Sequence, residues 1–134
     1  MAKLLLRVRG RNEKTLAVRK KMKKLVKTIP KEAEYYFRVA MDAENKESPV
    51  KVLEYFDRAI TMDPGYVPAW NEKANFLDLI QRYNEALECY DTAIRIDPGM
   101  AEAWFNKGLT LKKIGRESDA AVCITRGIEL AVGG

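Results

Sequence analysis

An all-α solenoid of three stacked helical hairpins, preceded by a basic helical segment, is the fold this sequence predicts. Three observations predict it. There is a period of 34 residues: Trp70 recurs as Trp104, Ala86 as Ala120, Cys89 as Cys123, and Asp63-Pro64-Gly65 as Asp97-Pro98-Gly99. Residues 33–66, 67–100 and 101–134 align on that period without a gap. Within each block apolar residues recur every three or four positions, the spacing of a buried helix face. A unit of this length cannot bury its apolar face alone and must stack on its neighbours.

The arm, residues 1–32, comes first. Val18, Met22, Leu25, Val26 and Ile29 fall at helical spacing between Arg19, Lys20, Lys21, Lys23, Lys24 and Lys27. Asn12 or Thr15 is the expected cap of this helix and Pro30 its expected end, because proline lacks an N–H and crowds the preceding turn. In the first block Tyr36, Val39, Ala40 and Ala43 mark a first helix. Ser48 caps the second with Pro49 in its first turn, and Val52, Leu53, Phe56, Ala59 and Ile60 mark its face up to Asp63-Pro64.

In the second block Ala69, Trp70, Ala74, Leu77 and Ile80 form one face, and Gln81-Arg82-Tyr83 makes the turn. Asn84 is the expected N-cap of the next helix, with Glu85 favourable in its first turn. Ala86, Leu87, Tyr90, Ala93, Ile94 and Ile96 follow, and Asp97-Pro98-Gly99 stops them. The third block repeats the plan with Trp104, Gly108 and Leu111, then Gly115 as a left-handed C-terminal cap. Ser118 is the expected cap of the last helix, which carries Ala121, Ile124, Gly127, Ile128 and Leu130. Small residues recur at Ala40, Ala74 and Gly108 and again at Ala59, Ala93 and Gly127, where close helix crossings leave no room for long side chains.

Composition narrows the class. The chain is 47% hydrophobic and 32% charged, enough for a packed core. No apolar run approaches the roughly 18 residues that span a bilayer, and Leu4-Leu5-Leu6 is too short for the core of a secretory signal. Cys89 and Cys123 hold equivalent places in successive units, expected about 8–10 Å apart. A disulfide needs Cα atoms within about 7 Å, so both read as reduced packing residues, and the expected location is cytoplasmic. There is no histidine, so the commonest general base is missing. No glycine-rich phosphate loop, nucleophile elbow or metal-ligand cluster is present. The pairs Glu32/Glu34 and Glu44/Glu47 read as solvated helix charges. The expectation is therefore a protein that is not an enzyme, with no cofactor and no metal.

The net charge of +5 conceals a split. Residues 1–32 hold 12 Lys and Arg against 2 Glu, a net +10, and residues 33–134 hold 12 against 17 acidic residues, a net −5. Such asymmetry is an interaction signal.

The repeats resemble the tetratricopeptide repeat family, whose signature sets Trp, Leu-Gly, Tyr, Ala, Phe, Ala and Pro at fixed offsets. The second block supplies Trp70, Ala74, Leu77, Ala86, Tyr90, Ala93 and Pro98. The third supplies Trp104, Gly108, Leu111, Ala120, Ile124 and Gly127, with Val132 where Pro is usual. The first supplies Tyr36, Ala40, Ala43, Val52, Phe56, Ala59 and Pro64. Lys73 and Lys107 replace the Leu of the signature and are expected to be exposed or snorkelled. No capping helix follows the third repeat, which suggests self-association or a partner at that end. The tryptophans read as core aromatics.

What the resemblance implies is a non-enzymatic adaptor. In this family the first helices of the hairpins line a concave groove that holds a peptide or protein. The resemblance places Glu34, Phe37, Arg38, Met41, Glu44 and Asn45 there, then Asn71, Glu72, Asn75, Asp78 and Leu79, then Glu102, Phe105, Asn106, Leu109, Lys112 and Lys113. Asn71, Asn75 and Asn106 are suited to bond a peptide backbone, and Phe37, Met41, Phe105 and Leu109 to form apolar pockets. One subclass clamps the C-terminal carboxylate of heat-shock chaperones with Lys, Asn and Arg. Those positions hold Phe37, Met41, Glu72, Glu102 and Asn106 here, so an apolar or basic ligand is expected instead of an acidic tail.

The arm admits several readings: a cap on the first repeat, a phosphate-binding helix for RNA or DNA, an element for an anionic membrane surface, or a segment that docks on the acidic array of its own or a neighbouring chain. A nucleic-acid-associated adaptor gripping phosphates through the arm is the alternative function. A membrane partner is the least expected.

Overall fold

A computed structural model describes the backbone of residues 2–133 and the side chains of residues 13–25 and 31–133. Among these residues there are six helices and no strand. They are α1 (Ala2–Ala43), α2 (Pro49–Met62), α3 (Val67–Leu79), α4 (Tyr83–Ile96), α5 (Ala101–Lys113) and α6 (Glu117–Ala131). The second part of α1 pairs with α2, α3 with α4, and α5 with α6, while α4 also packs on α5 and α2 on α3.

The turns explain why the chain folds into hairpins. Between α3 and α4 the N–H of Arg82 donates to the Leu77 carbonyl (2.8 Å) and that of Gln81 to the Asp78 carbonyl (2.9 Å). Arg116 to Leu111 (3.0 Å) and Gly115 to Lys112 (3.1 Å) repeat this one period later. This pair of hydrogen bonds satisfies the last carbonyls of a helix and requires a left-handed residue. Gly115 has φ +82° and Gln81 φ +64°. Between hairpins, Asp63 and Asp97 accept the N–H of Gly65 and Gly99, each at 3.0 Å. The indole N–H groups of Trp70 and Trp104 donate to the Pro64 and Pro98 carbonyls, each at 2.8 Å. The tryptophans are thus half-buried against the core and tied to the preceding turn.

Three apolar clusters form the core. Ala40, Val52, Phe56 and Phe76 join the first hairpin to the second. Ala74, Leu77, Tyr90, Ala93 and Ala103 join the second to the third. Leu87, Leu111, Ala120 and Cys123 close the end. The small positions are buried as expected. In the third hairpin both are glycine, and a Cβ at Gly108 would lie 2.5 Å from Cγ1 of Ile124.

Several expectations need correction. Pro30 does not end the arm helix, and neither Asn12 nor Thr15 caps it: α1 runs from Ala2 through Pro30 to Ala43. The Lys, Glu and Ala residues after Pro30 are strong helix formers, and the turn-forming Asp and Gly are absent there. Residues 13–25 of the arm do not cap the first repeat, since their side chains are all exposed. Val26, Lys27 and Ile29 of its stripe lie outside the described side chains. Helix α4 begins at Tyr83 with Arg82 as N-cap, not at Asn84, and α6 begins at Glu117 with Arg116 as N-cap, not at Ser118. In each case an Arg pairs with a first-turn carboxylate, Arg82 with Glu85 and Arg116 with Asp119. Ser48 does precede α2 with Pro49 in the first turn, although its side chain makes no capping bond. The N-cap positions 48, 82 and 116 keep the 34-residue period.

Lys73 and Lys107 snorkel. Their side chains are 21% and 23% exposed and reach Asp57 (2.7 Å) and Asp91 (2.6 Å) on the second helix of the preceding hairpin. This inter-repeat ion pair recurs in register.

Candidate peptide-binding groove

The first helices of the three hairpins, namely the second part of α1 with α3 and α5, carry the residues expected to line the groove. A polar network ties α3 to α5. Asn106 donates its amide to Oδ1 of Asn75 (3.1 Å), which also accepts the Tyr90 hydroxyl, while the Asn75 amide donates to Glu72 (3.2 Å). Asp78 accepts the Thr110 hydroxyl and pairs with Lys113. Thr110 is wholly buried, so its hydroxyl depends on that bond. Asn75, Asp78, Tyr90, Asn106, Thr110 and Lys113 line, with Leu109, a cavity of about 140 Å³.

Asn75 and Asn106 are therefore bonded to one another between repeats, as Asp78 is to Thr110 and Lys113, while Asn75 also bonds Glu72 and Tyr90 within its own repeat. Among the described residues Asn71 is buried close to Glu72, and its amide makes no hydrogen bond of good geometry. In this arrangement it does not face a peptide. Phe37 is half-buried and packs on the rings of Phe56 (6.4 Å) and Tyr66 (5.6 Å), so it belongs to the hairpin interior rather than to an open pocket. Met41, Phe105 and Leu109 are each 39% exposed and offer apolar surface. Arg38 is exposed and paired with Glu34.

Three carboxylates follow one another across the repeats. Glu72 is held above the ordinary carboxylate range chiefly by burial, with Glu102 adding repulsion and the Asn75 bond opposing it. Glu44 is raised by burial and then by Glu72. Glu44 and Glu72 are partly desolvated and Glu102 is exposed beside them, and such a row of neighbouring carboxylates favours a cation.

Tyr90 and Thr110 were not expected in the network. Tyr90 sits at the aromatic core position of the repeat, and nothing in its period marks the hydroxyl as reaching across to α3. The thiols are not reactive centres. Burial pushes Cys89 up to about 11 and raises Cys123 as well, and neither is in a disulfide. Among the described residues no group of His, Cys, Asp and Glu could hold a metal ion, and no helix is long and apolar enough to cross a membrane. The last helix exposes Val122 and Ile128, and Ile128 lines a hollow of about 450 Å³ with Ala101, Phe105 and Gly127.

Stacked hairpins in a fixed register define a helical repeat protein, and comparison with known proteins names the class. Profiles described as tetratricopeptide repeat match residues 55–88 and 101–131, and one described as TPR repeat matches residues 80–115. Together they cover residues 55–131, more than half of the chain, and the chain belongs to the tetratricopeptide repeat family. The uncharacterized protein MJ0572 of Methanocaldococcus jannaschii is 45% identical over 56 residues, which are 42% of this chain and 65% of that protein. The crystal structure of MamA superimposes with a TM-score of 0.72 at 22% identity, over 76% of this chain and 60% of that one. The second repeat domain of Spaghetti (RPAP3), solved with the HSP90 peptide SRMEEVD, superimposes with a TM-score of 0.70 at 19% identity, over 75% of this chain and 94% of that one. The chain thus spans less than two thirds of the first two relatives.

Proposed function

We propose that the three repeats, residues 33–66, 67–100 and 101–134, form a non-enzymatic protein-interaction module. Its face on α1, α3 and α5 receives a peptide or protein that is basic and apolar. The observation that carries this reading is the line Glu44, Glu72, Glu102 beside exposed Met41, Phe105 and Leu109. These carboxylates, of which Glu44 and Glu72 are partly desolvated, attract Lys and Arg side chains, and the apolar residues receive the rest of the ligand. The Asn75–Asn106 network acts as a rigid floor that fixes the spacing of α3 and α5, more than as a set of backbone donors. The acidic tail carried by SRMEEVD meets repulsion in this groove, unlike in the RPAP3 domain with which it was solved.

Fluorescence polarisation tests the reading with two labelled probes, a peptide alternating Lys and Leu and the peptide SRMEEVD. The basic probe binds more tightly, and Glu72→Gln with Glu102→Gln weakens it about tenfold, the size of one lost charge-assisted contact. Tighter binding of SRMEEVD overturns the reading.

A second reading concerns the arm, residues 1–32. Lys14, Arg19, Lys20, Lys21, Lys23 and Lys24 are all exposed on one helix, and such a helix suits phosphate contacts with salt-sensitive affinity. Affinity for a random RNA that does not fall as salt rises, or that survives neutralising Lys20–Lys24, removes it.

A further inference from the structure

The 34-residue register extends upstream of the first hairpin. One period before α2, Val18 stands at the place of Val52, Met22 at Phe56 and Pro30 at Pro64, while the larger Leu25 replaces the small residue of Ala59. The first part of α1 therefore carries the face of a second hairpin helix. Val52 and Phe56 are wholly buried, whereas Val18 and Met22 are 59% and 57% exposed. The receiving side shows the same mismatch. Position 35 corresponds to Ala69 and Ala103, both wholly buried, and Ala103 lies in a cluster with Tyr90 and Ala93 of the preceding hairpin. Tyr35 is 63% exposed.

An α1 that continues as one helix cannot fold back to cover itself. At the other two boundaries the chain reverses through an Asp-to-Gly bond and a Trp-to-Pro bond. At the equivalent boundary in α1 the residues are Ile29, Pro30, Lys31 and Tyr36. Neither the carboxylate, the glycine nor the indole is there, so neither bond can form, and the helix continues.

We propose that a second copy of this chain supplies the missing contact. Two α1 helices pair antiparallel about a two-fold axis near residue 30, and each lays its residues 16–25 beside residues 33–43 of the other. The contact is laid out like the one made within the chain between α2 and α3, with Leu25 and Tyr35 filling more space than Ala59 and Ala69, and is exchanged between copies through an opened hairpin. Charge sets the direction. Residues 1–30 hold 11 Lys and Arg against one Glu, and residues 31–47 hold Glu32, Glu34, Asp42, Glu44 and Glu47 against three cations. Antiparallel pairing sets the basic part of each helix beside the acidic part of the other, whereas parallel pairing would stack two strongly cationic segments.

Light scattering on the full chain at about 10–100 μM tests the pairing, because association follows concentration. A dimer is expected. The exposed-site double variant Val18→Glu/Met22→Glu leaves helix content unchanged and weakens the dimer at least about a hundredfold, since two charges enter an apolar contact. Raising salt from about 0.05 to about 0.5 M weakens it about tenfold. Direction is read by disulfide formation: Lys31→Cys, near the axis, cross-links to its own kind. Lys20→Cys does not, but it cross-links when mixed with Asp42→Cys. A chain that stays monomeric at low salt overturns the proposal, including one whose arm binds RNA instead. So does a dimer indifferent to the Glu substitutions, or a Lys20→Cys variant that links to itself.

Discussion

Gly127→Ala probes the tightest helix crossing. A Cβ on Gly127 would lie 2.9 Å from the Phe105 backbone nitrogen, 3.0 Å from the Ala101 carbonyl oxygen and 3.0 Å from Cβ of Phe105. All three atoms are fixed by the backbone of α5, so no rotamer change makes room. Two terms oppose each other. Alanine is the better helix residue by about 0.8–1 kcal/mol, while forcing a methyl group into a packed crossing costs about 1–3 kcal/mol. Relief requires α5 and α6 to part, which also opens the contacts around Leu111, Ala120 and Cys123, and the packing term wins. The expected net loss is about 1 kcal/mol, or about 3–6 °C in melting temperature for a chain of this size. Thermal and urea unfolding followed by circular dichroism measure it. Gly99→Ala is the control, because a Cβ there meets only Oδ1 of Asp97, at 3.4 Å, and no strained φ; it moves stability by less than about 0.5 kcal/mol. A Gly127→Ala chain more stable than the parent would refute the reasoning, since the helix-propensity gain would then have met no opposing contact.

Gln81→Gly should stabilise the chain by about 0.5–1 kcal/mol in the same unfolding assay, because Gln81 holds a left-handed φ that glycine adopts without a Cβ penalty. Asp57→Ala, Lys73→Met and their double variant form a cycle across the first inter-repeat ion pair. The coupling expected is about 0.5–1 kcal/mol, since the Lys is mostly covered but the Asp is largely exposed, and additive single effects would remove the pair from the account. Glu72→Gln should change the pH response. A carboxyl whose folded pKa lies above its unfolded value stabilises the fold below the ordinary value of 4.5 and loses that contribution as pH rises through the raised value. The variant should therefore gain on the parent between mild acid and neutrality, and a melting-temperature gap that stays constant with pH would contradict this.

Much of the fold was legible because repetition amplifies weak local signals. Any one of Ala74, Tyr90 or Pro98 says little, but three units in one register specify hairpins, core faces and turns together. The groove was legible only as a face. Asn75 and Asn106 looked like free donors because a period cannot tell whether an amide is already bonded to the next unit. Asn71 looked accessible because its helix position is shared with Phe37 and Phe105, yet its neighbours enclose it. Lys73 was read as exposed or snorkelled, and its partner Asp57 was found only once α2 and α3 were side by side.

By itself the sequence determined the three hairpins, their stacking order and the contrast between a basic arm and an acidic array, since these follow from residue type and spacing alone. Only the tertiary structure decided that α1 runs through Pro30, that the asparagines join repeats, and that the apolar stripe around Val18 and Met22 stands in water. A proline signals a turn locally, but whether the chain reverses depends on the Asp, Gly and Trp bonds that hold the reversal, and those bonds exist only between residues brought together in space.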